Sequence, residues 1–404
     1  DTARVFKEAF YIAGTGRPGP VLIDIPMDVQ KAVIDFEYPE KCEIRSYKPT
    51  TKGNYVQVRR VMAALEEAEK PLICIGGGVF AAHAENEIRE LADLMQIPVI
   101  TTMMGISVFP DDDQLFCGMI GTHGVKMANA AVNECDVLFL VGARVGDRAV
   151  KTPLALEKTT KIIHIDIDPA EIGKNIGADL PLVGDAKLVL QQMTELAKPM
   201  KHDEWIAHIK TLGGERKYVE PAKGTVNPRV FIDKLAKKMP ANVTVVADVG
   251  QNQIWTCTEY KFRKEGRLLT SGGMGTMGYS VPAAIGAKMA DNSRTTVAIC
   301  GDGAFQMSFM ELATAVQFGV DIKVVVMTNN RLGMVRELQT NGYHDRQTAV
   351  FLDGSPDFIK LAEAYGIPAM RVYDDATMEK GVEMLAEHKG ICLVEVVVDK
   401  DMPT

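Results

Sequence analysis

Asp302 stands between two glycines in the segment "ICGDGAF" (299–305), at the end of an apolar run that reads as a buried strand. Gly301 and Gly303 let backbone N–H groups approach an anion, and a helix opening near Phe305 would turn its positive end to the same place. A carboxylate repels an anion, so Asp302 makes sense there only if a cation lies between the two. A hard divalent ion such as Mg²⁺ accepts one or two carboxylates, amide or backbone carbonyls, water and phosphate oxygens. The next strand end, "TNNRLGM" (328–334), offers an amide oxygen from Asn329 or Asn330 and the carbonyl of Arg331. GDG by itself is equally a turn with a helix-capping aspartate. The 25 residues between GDG and the asparagine pair fit one helix and one strand, which sets the two motifs at adjacent strand ends.

Those motifs need a scaffold, and the chain supplies a repeating one. From about residue 55 to 198, apolar runs such as "PLICIGGGV", "IPVITT", "DVLFLVG" and "KIIHIDI" alternate with helical stretches at 84–95, 123–133 and 185–196. Runs with little internal alternation, separated by helices, indicate a parallel sheet covered on both faces. The pattern restarts at residue 228 with a helix at 228–239. The strands "VTVVADVG", "RLLTSGG", "TTVAICGDG", "IKVVVMTNN", "AMRVY" and "ICLVEVVVD" follow. The expected fold class is α/β, with two doubly wound parallel-sheet domains at 55–198 and 228–404. Residues 37–54 and 199–227 read as linkers, the second holding a short helix. Residues 1–36 read as a helix (2–13), a turn "GTGRPGP" and a strand "VLIDIP", too little for a core. They are expected to be the tail of an N-terminal domain whose body is missing.

Ligands of such sheets bind beyond the carboxyl ends of the strands. In the second domain those ends are "DVGQNQ" (248–253), "SGGMGTMG" (271–278), "GDGAF" and "TNNRLGM". Composition excludes several other classes. A net charge of −8 argues against nucleic acid, and no apolar run approaches the ~20 residues of a membrane span. The seven cysteines form no CxxC pair, which suits a reducing, cytoplasmic setting, and the seven histidines show no HxH or HExxH spacing.

GDG followed some 25 residues later by NN resembles the diphosphate motif of thiamine diphosphate enzymes. The longer stretches "GGMGTMGYSVPAAIGA", "DVGQNQIW", "GDGAFQMSFMELATA" and "NNRLGMVRE" resemble the acetolactate synthase (acetohydroxyacid synthase) large-subunit family more closely. So do "PVITTMMGISVFPDDDQLFCGMIGTHG", "GAR", "IIHIDIDPAEIGKN" and "VGDAK", and "RPGPVLIDIPMDVQ" is similar to the end of that family's N-terminal, pyrimidine-binding domain.

The resemblance implies thiamine diphosphate, Mg²⁺ and a structural FAD. Asp302, Asn329 and the Arg331 carbonyl would be Mg²⁺ ligands, with Asn330 still open as the alternative to Asn329. Gly250, Gln251 and Asn252 would meet the diphosphate, together with Gly301, Gly303, Ala304, Leu332, Gly333 and Met334; the family usually has His where Asn252 stands. Gly275 would hold the aminopyrimidine through its carbonyl and Met277 would wedge under the bent cofactor. That bend would bring the cofactor's own imino nitrogen beside the thiazolium C2 proton, so that proximity replaces a protein base. Gly275, Met277 and Arg148 are the residues expected to carry catalysis, Arg148 as the partner of a substrate carboxylate. A surface ion pair with Asp147 is the plainer reading of Arg148.

FAD contacts would come from Gly77, Gly78, Thr101, Thr102, Met103, His123, Gly124, Gly142, Arg144, Asp166, Ile167 and Asp185, although "GARVGDR" departs from the usual "GARFDDR". Gly76, Gly78 and Ala81 also fit a dinucleotide fingerprint, but no ribose-binding acid follows the next strand, which argues against NAD. His164, inside a strand, reads as a core residue.

The implied reaction condenses pyruvate with a second pyruvate or 2-ketobutyrate, releases CO₂ and opens branched-chain amino acid biosynthesis. Glu337-Leu338 stands where a Trp favouring 2-ketobutyrate is usual, so the choice of second substrate stays open. The family works as dimers or tetramers, often with a small regulatory subunit, and an N-terminal glutamate activates the cofactor. Without that glutamate this chain is expected to be inactive. Another thiamine-dependent 2-keto acid decarboxylase or lyase, and a non-catalytic subunit, are the competing readings.

Overall fold

Apolar runs that are buried on both faces organise each half of the chain. The computed structural model describes residues 1–214 and 218–404, so part of the expected 199–227 linker lies outside the described residues. The chain divides into two compact units, one of residues 1–105 and 130–209 and the other of 106–129 and 210–404.

In the first unit, β1 (Pro71–Ile75) and β2 (Val99–Thr101) pair in parallel. A further strand, β3 (Phe116–Met119), lies in the segment that groups with the second unit. β4 (Val137–Val141), β5 (Lys161–Asp166) and β6 (Leu180–Val183) continue the first unit's sheet in the order β2-β1-β4-β5-β6, each pair parallel. β1 and β4 are buried at every position, and each fully buried Val, Leu or Ile contributes about 1.5–3 kcal/mol by leaving water. Helices cover the sheet and start where the sequence provides a cap: Asn54 accepts from Val56 N and Gln57 N, and Asp185 accepts from Leu188 N.

The expected strand "VLIDIP" is not formed. Residues 15–26 carry no strand, and Val21 and Leu22 are exposed. β-branched residues favour an extended chain, but a strand also needs a neighbour for its N–H and C=O groups. The expected helix before it is present as Thr2–Gly14, with Ala9 its only buried residue.

The second unit contains β7 (Thr244–Ala247), β8 (Arg267–Thr270), β9 (Thr296–Gly301), β10 (Ile322–Thr328), β11 (Ala369–Val372) and β12 (Cys392–Val397). Their order is β11-β12-β10-β9-β7-β8, and all pairs are parallel. β8, β7, β9 and β10 are therefore neighbours, so the four glycine- and asparagine-bearing ends lie along one edge. Asn227 caps the helix Pro228–Lys238 and Pro228 occupies its first turn, where the missing N–H costs nothing.

One helix is unusual. Gln251–Glu259 is buried along its whole length despite six polar side chains. Such a helix is tolerable only if those groups are paired. Gln253 Nε2 donates to Thr270 Oγ1, Thr256 and Thr258 hydroxyls return to carbonyls one turn back, and Glu259 pairs with Arg229. The helix is thus fixed in place by specific bonds, and its amino end points to the shared edge.

Candidate functional site

Along that edge lies a cleft of about 280 Å³, built from the second unit alone. β7 leads into Val249, Gly250, Gln251 and Asn252; the segment after β8 supplies Gly275 and Met277. β9 supplies Gly301, Asp302, Gly303 and Ala304, and β10 leads into Asn329, Arg331, Leu332, Gly333 and Met334. Every residue expected at the diphosphate and metal end lines this one cleft. Val249, Trp255, Met277, Met327, Leu332, Met334 and Val335 give the lining an apolar share beside its polar groups.

Asp302 is 2 % exposed. Its Oδ2 accepts from Asn329 N at 3.1 Å and Asn330 N at 2.6 Å, and Oδ1 accepts from Gly303 N at 2.8 Å. Burial pushes its carboxyl up from the ordinary 3.8 to about 6, against the pull of those three N–H donors. A carboxylate in that position gains most from a cation, and Oδ1, with one N–H partner, retains a lone pair to offer it.

The two asparagines differ. Asn329 lines the cleft, donates from Nδ2 to Gln251 Oε1 at 3.2 Å and accepts Arg331 N on Oδ1 at 3.1 Å. Asn330 is not among the lining residues; its φ of +55° is the left-handed conformation that Asn tolerates better than most residues. The Arg331 guanidinium binds Asp353 and the Asn330 carbonyl and stacks on Phe351, so its charge is already partnered.

Two helices begin at the cleft, Gln251–Glu259 and Gly333–Gly342, and both direct unpaired amide N–H groups and the positive end of the dipole toward it. That suits a phosphate-bearing ligand. Asn252 is turned the other way: its Nδ2 donates to the carbonyls of Asp248 and Ile299 at 2.9 and 3.1 Å, which leaves Oδ1, an acceptor, on the side of Gly250 and Gly301. Asp248 is fully buried below the cleft and accepts from Val249 N, Gly278 N and Ser280 N, tying the β7 end to the segment after β8. Burial raises its pKa.

Among the described residues, no three His, Cys, Asp or Glu side chains gather as a metal cluster. One carboxylate, one amide and a backbone carbonyl match a Mg²⁺ site that completes its shell with phosphate and water.

At the end of β1 the glycines are closed in by backbone. Gly76 and Gly78 press against Gly142: a Cβ on Gly76 would lie 2.2 Å from the Gly142 carbonyl oxygen, and one on Gly78 2.7 Å from Gly142 Cα. Gly76 N and Gly78 N donate to the carbonyls of Val141 and Gly142. These glycines thus allow two backbones to touch, and Gly78–Ala81 forms only one helical turn. Among the other residues expected to contact FAD, Thr101 and Asp166 end β2 and β5, and Gly77, Thr102, Met103, Arg144, Ile167 and Asp185 follow the carboxyl ends of β1, β2, β4, β5 and β6. His123 and Gly124 lie in the segment that groups with the second unit. Arg148 is exposed on the first unit and is not among the residues lining the cleft. His164 is buried in β5, and burial holds its imidazole below the ordinary value.

Comparison with known proteins decides the family. The thiamine pyrophosphate enzyme C-terminal TPP binding domain matches residues 248–396, which contain the whole cleft, and the thiamine pyrophosphate enzyme central domain matches 58–193. The probable acetolactate synthase large subunit of Methanocaldococcus jannaschii is 42 % identical over 98 % of this chain and 69 % of its own length. The chain belongs to the acetolactate synthase large-subunit family. The large subunit of Buchnera aphidicola is 38 % identical over 94 % of this chain and 68 % of its own, and the isozyme 3 large subunit of Escherichia coli 35 % over 99 % and 72 %. The chain thus spans about two thirds of the length of these acetolactate synthase relatives.

The cleft residues that sequence reasoning did not single out have recognisable signals. Trp255 is one helical turn from Gln251, and Met327 is two residues before Asn329 on the same strand face.

Proposed function

We propose that this chain supplies the diphosphate- and cation-binding part of a thiamine diphosphate-dependent acetolactate synthase, which joins two 2-keto acids with loss of CO₂. One observation carries the reading: Asp302, Asn329, the amino ends of two helices and several apolar side chains line a single cleft at four adjacent strand ends. Thiamine diphosphate, when bound, supplies an electron sink for the pair released on decarboxylation.

The chain's own residues bind and orient. Asp302, Asn329 and the main chain of Arg331 hold Mg²⁺, and the helix amides at Gly250–Asn252 and Gly333–Met334 hold the diphosphate. The apolar lining residues Met277, Met327, Met334 and Trp255 suit heterocyclic rings. Gly275, at φ +63°, lines the same cleft. Arg148 is assigned to the carboxylate of the substrate. FAD is assigned to the first unit, where strand ends converge and the fully buried Thr101 Oγ1 has no hydrogen-bond partner, a polar atom free to meet a ligand.

No helix among the described residues is long and apolar enough to cross a membrane. With mostly buried cysteines and no disulfide among the described residues, a cytoplasmic dimer or tetramer carrying a small regulatory subunit is the proposed setting. The test is product analysis from pyruvate with thiamine diphosphate, Mg²⁺ and FAD, on the chain joined to an N-terminal domain of the kind its family carries. 2-Acetolactate is the expected product; acetaldehyde alone would replace this reading with a simple decarboxylase.

A further inference from the structure

Gln251 is 4 % exposed, so the way its carboxamide is turned is set by its neighbours. Its Nε2 donates to the Met402 carbonyl at 2.8 Å and to Glu337 Oε2 at 3.0 Å. A carbonyl and a carboxylate accept only, so the amino end must face them; a reversed amide would place oxygen against oxygen in a buried site. Oε1 is therefore directed at the end of β10, where Asn329 Nδ2 donates to it.

That bond fixes Asn329 in turn. With its amino end committed to Gln251, the amide oxygen points away from Gln251, takes Arg331 N with one lone pair and has the other for a cation. Gly333 makes the arrangement possible, because a Cβ there would lie 1.9 Å from Gln251 Oε1. Glu337 is itself held: its carboxylate accepts from Thr404 Oγ1 at 2.9 Å and from Thr404 N at 3.2 Å. Trp255 Nε1 donates to the Pro403 carbonyl at 2.9 Å, and Met402 is 4 % exposed.

We propose that Glu337 and the Met402 carbonyl form an orienting relay: they set the polarity of the Gln251 amide, which turns the Asn329 amide oxygen to the divalent cation. Glu337 is a positioning residue that touches neither cation nor cofactor. The relay rests on the reading of Asp302 and Asn329 as the cation site. It extends that site to the segment 402–404, which no cleft motif marks.

The experiment measures Mn²⁺ binding in the presence of thiamine diphosphate from the paramagnetic resonance of the free ion, with thermal unfolding as a check on folding. Glu337→Ala is expected to weaken Mn²⁺ about tenfold, the usual scale for partners that orient metal ligands. Glu337→Gln retains an oxygen that can accept from Gln251, so it should restore binding to within about threefold of wild type. In a Gln251→Met background, Glu337→Ala should add no further loss, because the relay is already cut. Should Glu337→Ala not fold, Glu337→Leu, which fills the volume without an acceptor, is expected to show the same loss. A folded Glu337→Ala or Glu337→Leu with wild-type Mn²⁺ affinity, or losses that add in the double variant, would overturn the relay. Wild-type protein that binds no Mn²⁺ would instead remove the cation-site reading, and the relay with it.

Discussion

Both sheets end in glycine-rich segments, and the two ends use glycine for opposite purposes. At the end of β1, Gly76 and Gly78 are filled by the backbone around Gly142, which welds β1 to β4. At the ends of β9 and β10, Gly301, Gly303 and Gly333 border an open cleft, and the nearest obstacles are side chains: Leu332 and Leu352 at Gly303, Gln251 at Gly333. A glycine motif therefore does not by itself mark a ligand site. What separates the two is the company of the buried carboxylate of Asp302 and the amide oxygen of the half-buried Asn329, both of which line the cleft.

The contrast can be broken most sharply at Asp302. Asp302→Asn removes the only carboxylate among the described residues lining the cleft, and Mn²⁺ affinity in the presence of thiamine diphosphate should fall at least about 100-fold. Gly76→Ala attacks the other end. Forcing a methyl 2.2 Å from a backbone oxygen should cost about 2 kcal/mol of stability, read by denaturant unfolding, with thiamine diphosphate affinity of the folded protein unchanged.

Acidity sharpens the comparison next. Asp302 titrates near 6 when no cation is bound, so a proton competes with the metal below that pH. Between pH 5 and 7, Mn²⁺ affinity should rise roughly tenfold and then level off. The sign for stability is opposite. A carboxyl raised from 3.8 to about 6 on folding stabilises the cation-free protein fully below about 3.8, and that contribution is lost as pH rises through 6. Asp111, mostly buried and likewise raised to about 6, acts in the same sense, so Asp302→Asn should remove only part of the slope. The smallest effect belongs to Gly303→Ala, where the new methyl meets movable leucine and methionine side chains; a roughly threefold loss of cofactor affinity with little change in stability is expected.

Much of this was legible in the sequence because it depends on local rules. Doubly buried strands read as unbroken apolar runs, and the expected strand ends carry Gly250, Asp302 and Asn329 into one cleft. What was not legible depends on partners distant in the chain. "VLIDIP" has strand composition, yet no neighbour pairs with it. The sequence around Gly76 and Gly78 does not show that the Gly142 backbone fills the space beside them, because that approach is a tertiary fact. The segment 402–404 carries no motif and nothing in "NNRLGMVRE" ties Glu337 to Gln251; the bonds of Glu337 and Met402 to Gln251 span 86 and 151 residues.

The central claim, that the cleft holds thiamine diphosphate through a cation on Asp302, is tested most directly by fluorescence. Trp255 lines the cleft, whereas the other tryptophan, Trp205, belongs to the first unit. Thiamine diphosphate should quench this emission saturably with Mg²⁺ present, and the response should disappear with EDTA or in Asp302→Asn. Quenching of equal affinity in all three conditions, or none in any, would contradict the account.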